Sequence, residues 1–151
     1  MPQSLVQIYV HIVFSTKNRQ PFLSDREFRA RTHAYMVGIC KNLESPSLLI
    51  GGVEDHVHIL CRHSKSGDVS TLVRELKRDT TKWIKKNNPQ LQDFYWQAGY
   101  GAFGVSATHI KRLKDYIATQ EEHHKKVSFQ DEFRRICRKN GLVIDERYVW
   151  D

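Results

Sequence analysis

Residues 47–62 read SLLIGGVEDHVHILCR, and this stretch decides the fold of the chain. It holds two short apolar runs, at 47–53 and 56–62, which are separated only by the acidic pair Glu54-Asp55. Two runs of this length around a two-residue polar connection predict a β-hairpin. The elements on either side then decide which kind of sheet contains the hairpin.

Hydrophobic periodicity predicts the elements around the hairpin. Alternating apolar residues indicate strands, and apolar residues at three- and four-residue spacing indicate helices. The helix before the hairpin is predicted to begin at Ser24, with Glu27 completing a capping box. The predicted elements are a strand at 6–14, a helix from 24 to about 42, the hairpin, a helix at 69–86, a strand at 95–105, a helix at about 108–124, and a last helix with the tail at about 128–151.

The order of these elements predicts the fold class. Strand, helix, strand, strand, helix and strand follow one another as in the split βαβ, ferredoxin-like arrangement. We therefore expect one α+β domain over residues 1–151, with an antiparallel sheet, helices on one face and extra C-terminal helices. The other face of the sheet would then be free for a functional site.

Composition narrows the class of protein. The formal charge is +7 and the sequence pI is about 9.4, which favours a polyanionic partner such as nucleic acid, although a merely basic soluble protein fits equally well. The three cysteines lie far apart without CxxC spacing, which argues against a disulfide framework and a zinc ribbon. Neither a signal peptide nor a membrane-spanning apolar run is evident, so we expect a cytoplasmic protein without membrane contact.

Two residue pairs could carry chemistry. His56 and His58 are two apart on a predicted strand, so both imidazoles leave one face and could bind a metal, or could simply be strand histidines. Tyr116 and Gln120 are four apart on a predicted helix and share its polar face. A tyrosine on the polar face of a helix more often has a structural role, with its ring buried and its hydroxyl exposed to solvent. Neither pair is specific alone.

The two pairs in this order carry a resemblance to a known family. His-Val-His at 56–58, followed well downstream by Tyr-Ile-Ala-Thr-Gln at 116–120, resembles the single-tyrosine HUH transposases of bacterial and archaeal insertion sequences (the TnpA type). The segments YVHIVFSTKNRQPFL at 9–23 and YWQAGYGAFGVS at 95–106 also look like that family. The resemblance covers essentially the whole chain.

The resemblance implies a role for each motif residue. His56, His58 and Gln120 match the protein ligands of a divalent metal, Mg²⁺ or Mn²⁺, although imidazole suits later transition metals better. Tyr116 matches the nucleophile that cleaves and rejoins single-stranded DNA at insertion-sequence ends through a 5′-phosphotyrosine. Such DNA carries hairpins near the element ends. The family typically forms homodimers, and in many members the tyrosine helix completes the site of the partner subunit.

Several assignments stay open at this stage. His109 and His123 are possible proton acceptors for the tyrosine, and the segment EEHH at 121–124 receives no role. The chain could also be a domesticated relative that processes repeated palindromic DNA hairpins, or a ferredoxin-like nucleic-acid-binding module without a covalent step. The candidate DNA-binding residues are Lys17, Arg19, Arg74, Lys77, Arg78, Lys82, Lys111 and Arg112, with Trp96 for base stacking.

Overall fold

The computed structural model describes residues 2–151 and contains one four-stranded antiparallel sheet. The elements in chain order are β1 (Tyr9–Ser15), α1 (Arg26–Asn42), β2 (Ser47–Val53), β3 (His56–Arg62), α2 (Val69–Asn87), β4 (Gly101–Val105), α3 (Ile110–Ala118), α4 (Gln120–His123) and α5 (Phe129–Lys139). The strand order is β2-β3-β1-β4, so each of the helices α1 and α2 connects strands that have another strand between them. The predicted α+β, ferredoxin-like class is confirmed.

The first face of the sheet carries the main core. Alternate residues of β1 and β3 point to this face and pair directly, as Ile12 does with Ile59 and Phe14 with Val57. Helices α1 and α2 cover these side chains with their own apolar residues, such as Met36 and Leu76, which are fully buried. Burial of these apolar side chains between the sheet and the two helices is the main contribution to the stability of the fold.

The second face of the sheet is also covered. Val13 of β1 packs there with Phe103 of β4 and with Phe129, Phe133 and Cys137 of α5. The tail adds Ile144, Val149 and Trp150, which are partly buried against the same cluster. The face that the sequence predicts to be free for a site therefore has the C-terminal helices over it. Any site on this face lies between the sheet and those helices.

Two predicted boundaries are wrong for identifiable reasons. The first strand begins at Tyr9 and not at residue 6, and Val6 and Ile8 are about half exposed, at 48% and 51%. Helix α1 is capped by Asp25 and not by Ser24, because the Asp25 carboxylate accepts the amide N–H groups of the second and third helical residues at 3.0 and 3.2 Å. A carboxylate is also favoured there by the helix dipole.

Strand β4 is shorter than predicted, beginning at Gly101 and not at Tyr95. Trp96 forms only an isolated bridge with the chain after β1. The carbonyl groups of residues 97–99 accept hydrogen bonds from the ammonium group of Lys77, at 2.7 to 3.2 Å. Regular pairing with β1 begins only at Gly101, which lies opposite Val13.

The predicted tyrosine helix at 108–124 is divided in two. Helix α3 ends at Ala118, and Thr119 has φ −106° and ψ 25° before α4 begins at Gln120. The last helix is capped by Ser128, whose hydroxyl accepts the amide N–H of Asp131 at 3.1 Å, as the sequence suggests. No helix within residues 2–151 is long and apolar enough to cross a membrane.

Candidate metal centre and tyrosine site

The histidine pair lies in the middle of the second face. His56 and His58 of β3 pair with Ser15 and Val13 of β1, and both side chains are fully buried, with no exposed surface. Alternation along the strand puts both imidazoles under the C-terminal helices, as their spacing predicts. Two buried imidazoles need polar partners, because an unsatisfied polar group in this position is costly.

Helix α3 reaches the histidine pair because Gly51 of β2 allows a close approach. A Cβ atom at Gly51 would lie 2.8 Å from the Cγ2 atom of Ile117, which is too close for an ordinary contact. With no side chain there, α3 lies directly on the sheet beside β3. This packing directs Tyr116, the neighbour of Ile117, and Gln120, which begins α4, toward the histidines.

The structure brings the four motif residues together within one chain. Oε1 of Gln120 lies 3.1 Å from Nε2 of His56, and Gln120 is buried. The ring centroid of Tyr116 lies 5.8 Å from that of His58, nearly perpendicular to it. The break at Thr119 therefore does not separate Gln120 from the site.

A carboxylate that the sequence reasoning missed lies at the centre of the site. Glu132 of α5 is fully buried, and its Oε1 atom lies 3.0 Å from Nε2 of His58 and 3.3 Å from Nε2 of His56. His124 is also present, with Nε2 3.1 Å from the same oxygen. The donor atoms of these four residues all lie within 4.8 Å of one another, so the group could hold a metal ion.

The sequence did contain a signal for Glu132. It lies three residues after Phe129 and four before Ile136, so it shares the apolar face of α5 that the same periodicity predicts. A charged residue on the buried stripe of a helix needs a partner, because an isolated buried charge is strongly unfavourable. The partners are supplied by β3 and by the segment 121–124, to which the sequence assigned no role.

Polar groups behind the histidines fix the orientation of their rings. Nδ1 of His56 lies 2.7 Å from Oδ1 of Asp55, and Nδ1 of His58 lies 2.8 Å from Nε2 of His11. Nδ1 of His124 donates to the carbonyl oxygen of Val127 at 2.6 Å. Each ring thereby turns its Nε2 atom toward Glu132. Carboxylates and carbonyls behind metal-binding histidines commonly have this orienting role.

The charges of these groups depend on one another. Burial lowers the pKa of His56, but hydrogen bonds with Asp55 and Glu132 outweigh it and raise the pKa to about 9. Burial lowers the pKa of His58, and it lowers the pKa of His11 to about 3. Burial would raise the pKa of Glu132, but its contacts with the three imidazoles reverse the direction and lower it. Glu132 is therefore an anion, and the protonated His56 is a cation beside it, 3.3 Å away.

The tyrosine hydroxyl contacts the same carboxylate. Tyr116 donates a hydrogen bond to Oε2 of Glu132, and Gln120 donates to that oxygen through Nε2 at 3.2 Å. Nε2 of His123 lies 3.4 Å from the tyrosine hydroxyl, whereas Nδ1 of His109 lies 3.2 Å from the hydroxyl of Thr108. Burial, and then the charge of Glu132, raises the pKa of Tyr116 above its ordinary value.

A cavity of about 360 Å³ opens beside Tyr116, between α3, β4 and α5. Its walls include His11 and Phe103 from the sheet, and three basic side chains, those of Arg112, Arg135 and Lys139. The sequence predicted a DNA contact for Arg112 but missed the two basic residues of α5. Their side chains give the mouth of the site a positive charge.

The other candidate DNA-binding residues lie on α3, on α2 and in the turn after β1. Lys111 is exposed on α3 near the cavity, whereas Arg74, Arg78 and Lys82 are exposed on α2, over the first face of the sheet. Lys17 and Arg19 lie in a short turn after β1, and Arg19 donates to the carbonyl oxygen of Trp150 at 3.1 Å.

Two of those candidates are engaged inside the fold. The Lys77 ammonium group donates hydrogen bonds to the carbonyl groups of residues 97–99. Trp96 is 8% exposed and belongs to the main core, with its ring edge-on to Phe14 at 4.9 Å. A DNA contact by Lys77 and base stacking by Trp96 stay predictions. The buried ring of Trp96 and the hydrogen-bonded ammonium group of Lys77 do not favour these roles.

Comparisons with known proteins bear on the family and the fold of the chain. The sequence model of one family, described as IS200-like transposases, matches residues 4–120. The fold is similar to that of a candidate transposase from Deinococcus radiodurans R1, with a TM-score of 0.65, 19% identity, and coverage of 80% of this chain and 95% of that chain. It is also similar to that of a REP-associated tyrosine transposase bound to a REP hairpin, with a TM-score of 0.61, 15% identity, and coverage of 84% and 74%. No curated protein sequence matches the chain.

Proposed function

The chain belongs to the IS200-like transposases, as its two motifs predicted, and on this premise we propose that it cleaves and rejoins single-stranded DNA with the help of a divalent metal. The observation that carries the proposal is the convergence of Tyr116 and Gln120 with His56 and His58 in one buried site. A nucleic-acid-binding module without a covalent step has no need of this convergence.

The metal-binding residues and the tyrosine have separate chemical roles. His56, His58 and Gln120 would hold the metal, which supplies charge that polarises a phosphodiester, and Mg²⁺ or Mn²⁺ is the ion expected for the family. The oxygen of Tyr116 attacks phosphorus, so that a 5′-phosphotyrosine forms while the bond to the 3′-oxygen breaks. The leaving 3′-oxygen takes up a proton as the hydroxyl forms. The covalent link conserves the bond energy, so another 3′-hydroxyl can reverse the step.

The tyrosine must lose its proton during this attack. Its hydroxyl already donates to Glu132, and His123 is the other acceptor nearby. Because its pKa is raised in the DNA-free site, the phenolate is disfavoured until substrate enters. We infer that the incoming DNA strand changes the surroundings of Tyr116 as well as supplying the phosphate.

The DNA is proposed to approach through the cavity beside Tyr116. Arg112, Arg135 and Lys139 would neutralise phosphates there, which makes binding dependent on salt. The tyrosine and the histidine pair lie together within one chain, which supports a site completed within one subunit. A homodimer is still proposed from the family, and it would position two DNA ends and not complete a shared site. Such an enzyme would work on DNA in the cytoplasm.

A second candidate substrate is repeated palindromic DNA. The similarity of fold to a transposase bound to a REP hairpin supports it. The active-site chemistry would be the same, and only the recognised DNA would differ. Hairpins from the flanks of the gene and from repeated palindromes elsewhere in the genome are therefore the two substrates to compare.

The test is the formation of a covalent protein–DNA adduct. The protein is incubated with hairpin-bearing single-stranded DNA and Mn²⁺ or Mg²⁺, and a labelled band that resists denaturation is expected. Tyr116→Phe should abolish the band, whereas Tyr148→Phe, a change at a tyrosine that is 63% exposed, should retain it. An adduct that persists in Tyr116→Phe would exclude Tyr116 as the nucleophile, and one that survives a chelator would exclude the metal.

A further inference from the structure

We propose that the DNA-free protein holds a transition-metal ion with four protein ligands, the Nε2 atoms of His56, His58 and His124 and the carboxylate of Glu132. The proposal rests on the proposed function only in that it concerns the same metal site. It differs from the family expectation in that His124 and Glu132 are ligands and Gln120 is not a ligand in the DNA-free protein. His124 and Glu132 both lie beyond residues 4–120, which the family model matches.

The distances from Glu132 to the three imidazole nitrogens are close to those between neighbouring ligands of one ion. Oε1 of Glu132 lies 3.0, 3.1 and 3.3 Å from Nε2 of His58, His124 and His56. In a tetrahedral zinc site with bonds of about 2.0–2.1 Å, neighbouring donor atoms are about 3.3–3.4 Å apart. The three distances to Glu132 are therefore close to the spacing that one ion would give, and all four donor atoms lie within 4.8 Å of one another.

His124 presents a third imidazole nitrogen to the same carboxylate oxygen. Its Nδ1 atom donates to the carbonyl oxygen of Val127, so its Nε2 atom is turned to the centre of the group. The side chain is 8% exposed, and Nε2 has no hydrogen-bond partner within residues 2–151. This nitrogen faces Oε1 of Glu132 at 3.1 Å. A proton on Nε2 or a metal ion between the two atoms makes the contact favourable, and a metal ion would serve all four donors at once.

The imidazoles of His56 and His58 are oriented in the same way. In the metal-bound form the proton of His56 would lie on Nδ1, which donates to Asp55, and the proton of His58 on Nδ1, which donates to His11. Each ring then keeps the lone pair of Nε2 for the centre of the group. This is the usual arrangement behind histidines that bind metal, where the outer partner fixes the tautomer.

The kind of donor decides which metal is favoured. Three imidazole nitrogens and one carboxylate form a set that suits Zn²⁺ and Co²⁺, whereas Mg²⁺ prefers six oxygen donors. Four protein ligands around a tetrahedral ion also leave no open position. A phosphate oxygen of the DNA must then replace one of them, and Glu132, which comes from α5, is the ligand that also contacts Tyr116.

The test is metal binding to the full chain without DNA. Titration calorimetry with Zn²⁺, Co²⁺ and Mg²⁺ alone should give one tight site for the first two and much weaker binding of Mg²⁺. The Co²⁺ form should show the intense visible absorption of tetrahedral cobalt. Glu132→Gln and His124→Gln should each weaken Zn²⁺ binding by about tenfold or more, since even outer partners of metal ligands have effects of 10–100-fold. Glu122→Gln, at a side chain that is 74% exposed, is the matched control.

Three results would overturn the proposal. They are a faint, six-coordinate cobalt spectrum in the wild-type protein, Mg²⁺ binding as tight as that of Zn²⁺, or unchanged Zn²⁺ affinity in Glu132→Gln and His124→Gln. The spectrum needs no variant, so a folding defect cannot obscure it, and circular dichroism checks the variants. A negative result in these metal-binding experiments would not contradict adduct formation by Tyr116. Conversely, tight Zn²⁺ binding without any adduct would contradict the proposed function alone.

Discussion

The hydroxyl of Tyr116 donates a hydrogen bond to Oε2 of Glu132, and the other oxygen of the same carboxylate lies 3.0 Å from Nε2 of His58. One side chain of α5 therefore connects the tyrosine of α3 with the histidine pair of β3. The phenolate form of Tyr116 is opposed first by burial and then by this negative charge, which together raise its pKa.

We predict that Glu132→Gln lowers the pKa of Tyr116 by about 1 unit or more, because a charge in contact with an ionisable group typically moves its pKa by 1–3 units. The pKa should stay above its ordinary value, since burial persists. Carbon-13 NMR of tyrosine labelled at Cζ, assigned with Tyr116→Phe, measures it in the metal-free protein. Glu122→Gln serves as the control, and an unchanged pKa in Glu132→Gln would show that burial alone is responsible.

The arrangement of the sheet could be predicted because its signals are local. The hairpin at 47–62 follows from two apolar runs around a short connection, and the alternation over residues 6–14 indicates the strand beside it, although that strand begins only at Tyr9. The break at Thr119 could not be predicted. The chain from 108 to 124 has helical spacing throughout, and the break serves the contacts of Gln120 with residues distant in sequence, which are not visible locally.

The candidate site could be predicted only in part, for the same reason. The histidine pair and the Tyr116–Gln120 pair were found because each follows a regular spacing and because the combination resembles a family. Glu132 belongs to no such motif. Its role comes from the position of α5 over β3, which depends on packing of Phe129 and Phe133 against the sheet.

The close approach at Gly51 gives a second prediction. Gly51→Ala should lower the free energy of unfolding by about 1–3 kcal/mol, because the new Cβ atom meets Ile117 and forces α3 away from the sheet. The rate of adduct formation should fall as well, since Tyr116 moves with α3. Urea denaturation and the adduct assay measure the two effects.

Gly38→Ala is the matched control for that change. Gly38 lies within α1, and a Cβ atom there meets nothing within 4 Å. Alanine should raise the stability by about 0.5–1 kcal/mol because it restricts the unfolded chain and favours the helix. If Gly51→Ala and Gly38→Ala had equal free energies of unfolding, the close packing of α3 would not be the reason for glycine at position 51.

The basic cavity beside Tyr116 gives a third prediction. Arg112→Ala and Arg135→Ala should each weaken binding of single-stranded DNA and reduce the slope of log K against log salt by about 0.7, the contribution of one phosphate contact. Arg74→Ala, on α2 over the opposite face of the sheet, should leave the slope unchanged. Fluorescence anisotropy at several salt concentrations measures it. A reduced slope only in Arg74→Ala would place the DNA on α2.

The buried His11 gives a prediction about acid. Its imidazole is 5% exposed, and burial, followed by the neighbouring His58, lowers its pKa from 6.5 to about 3. Above pH 6.5 the ring is neutral in both folded and unfolded protein and makes no pH-dependent contribution. As the pH falls from 6.5 toward 3, the unfolded chain binds a proton that the folded chain excludes, so stability decreases. Between about pH 7.5 and pH 5 the loss should be about 2 kcal/mol.

His11→Gln removes this titration while its amide oxygen can still accept from Nδ1 of His58. Urea denaturation of the two metal-free proteins at both pH values isolates the effect, because the other titrating groups are common to them. The variant should lose less stability than the wild-type protein over this interval, whatever its stability at the higher pH. An equal loss would mean that His11 is protonated within the fold, so that its Nε2 atom could not accept a hydrogen bond from His58.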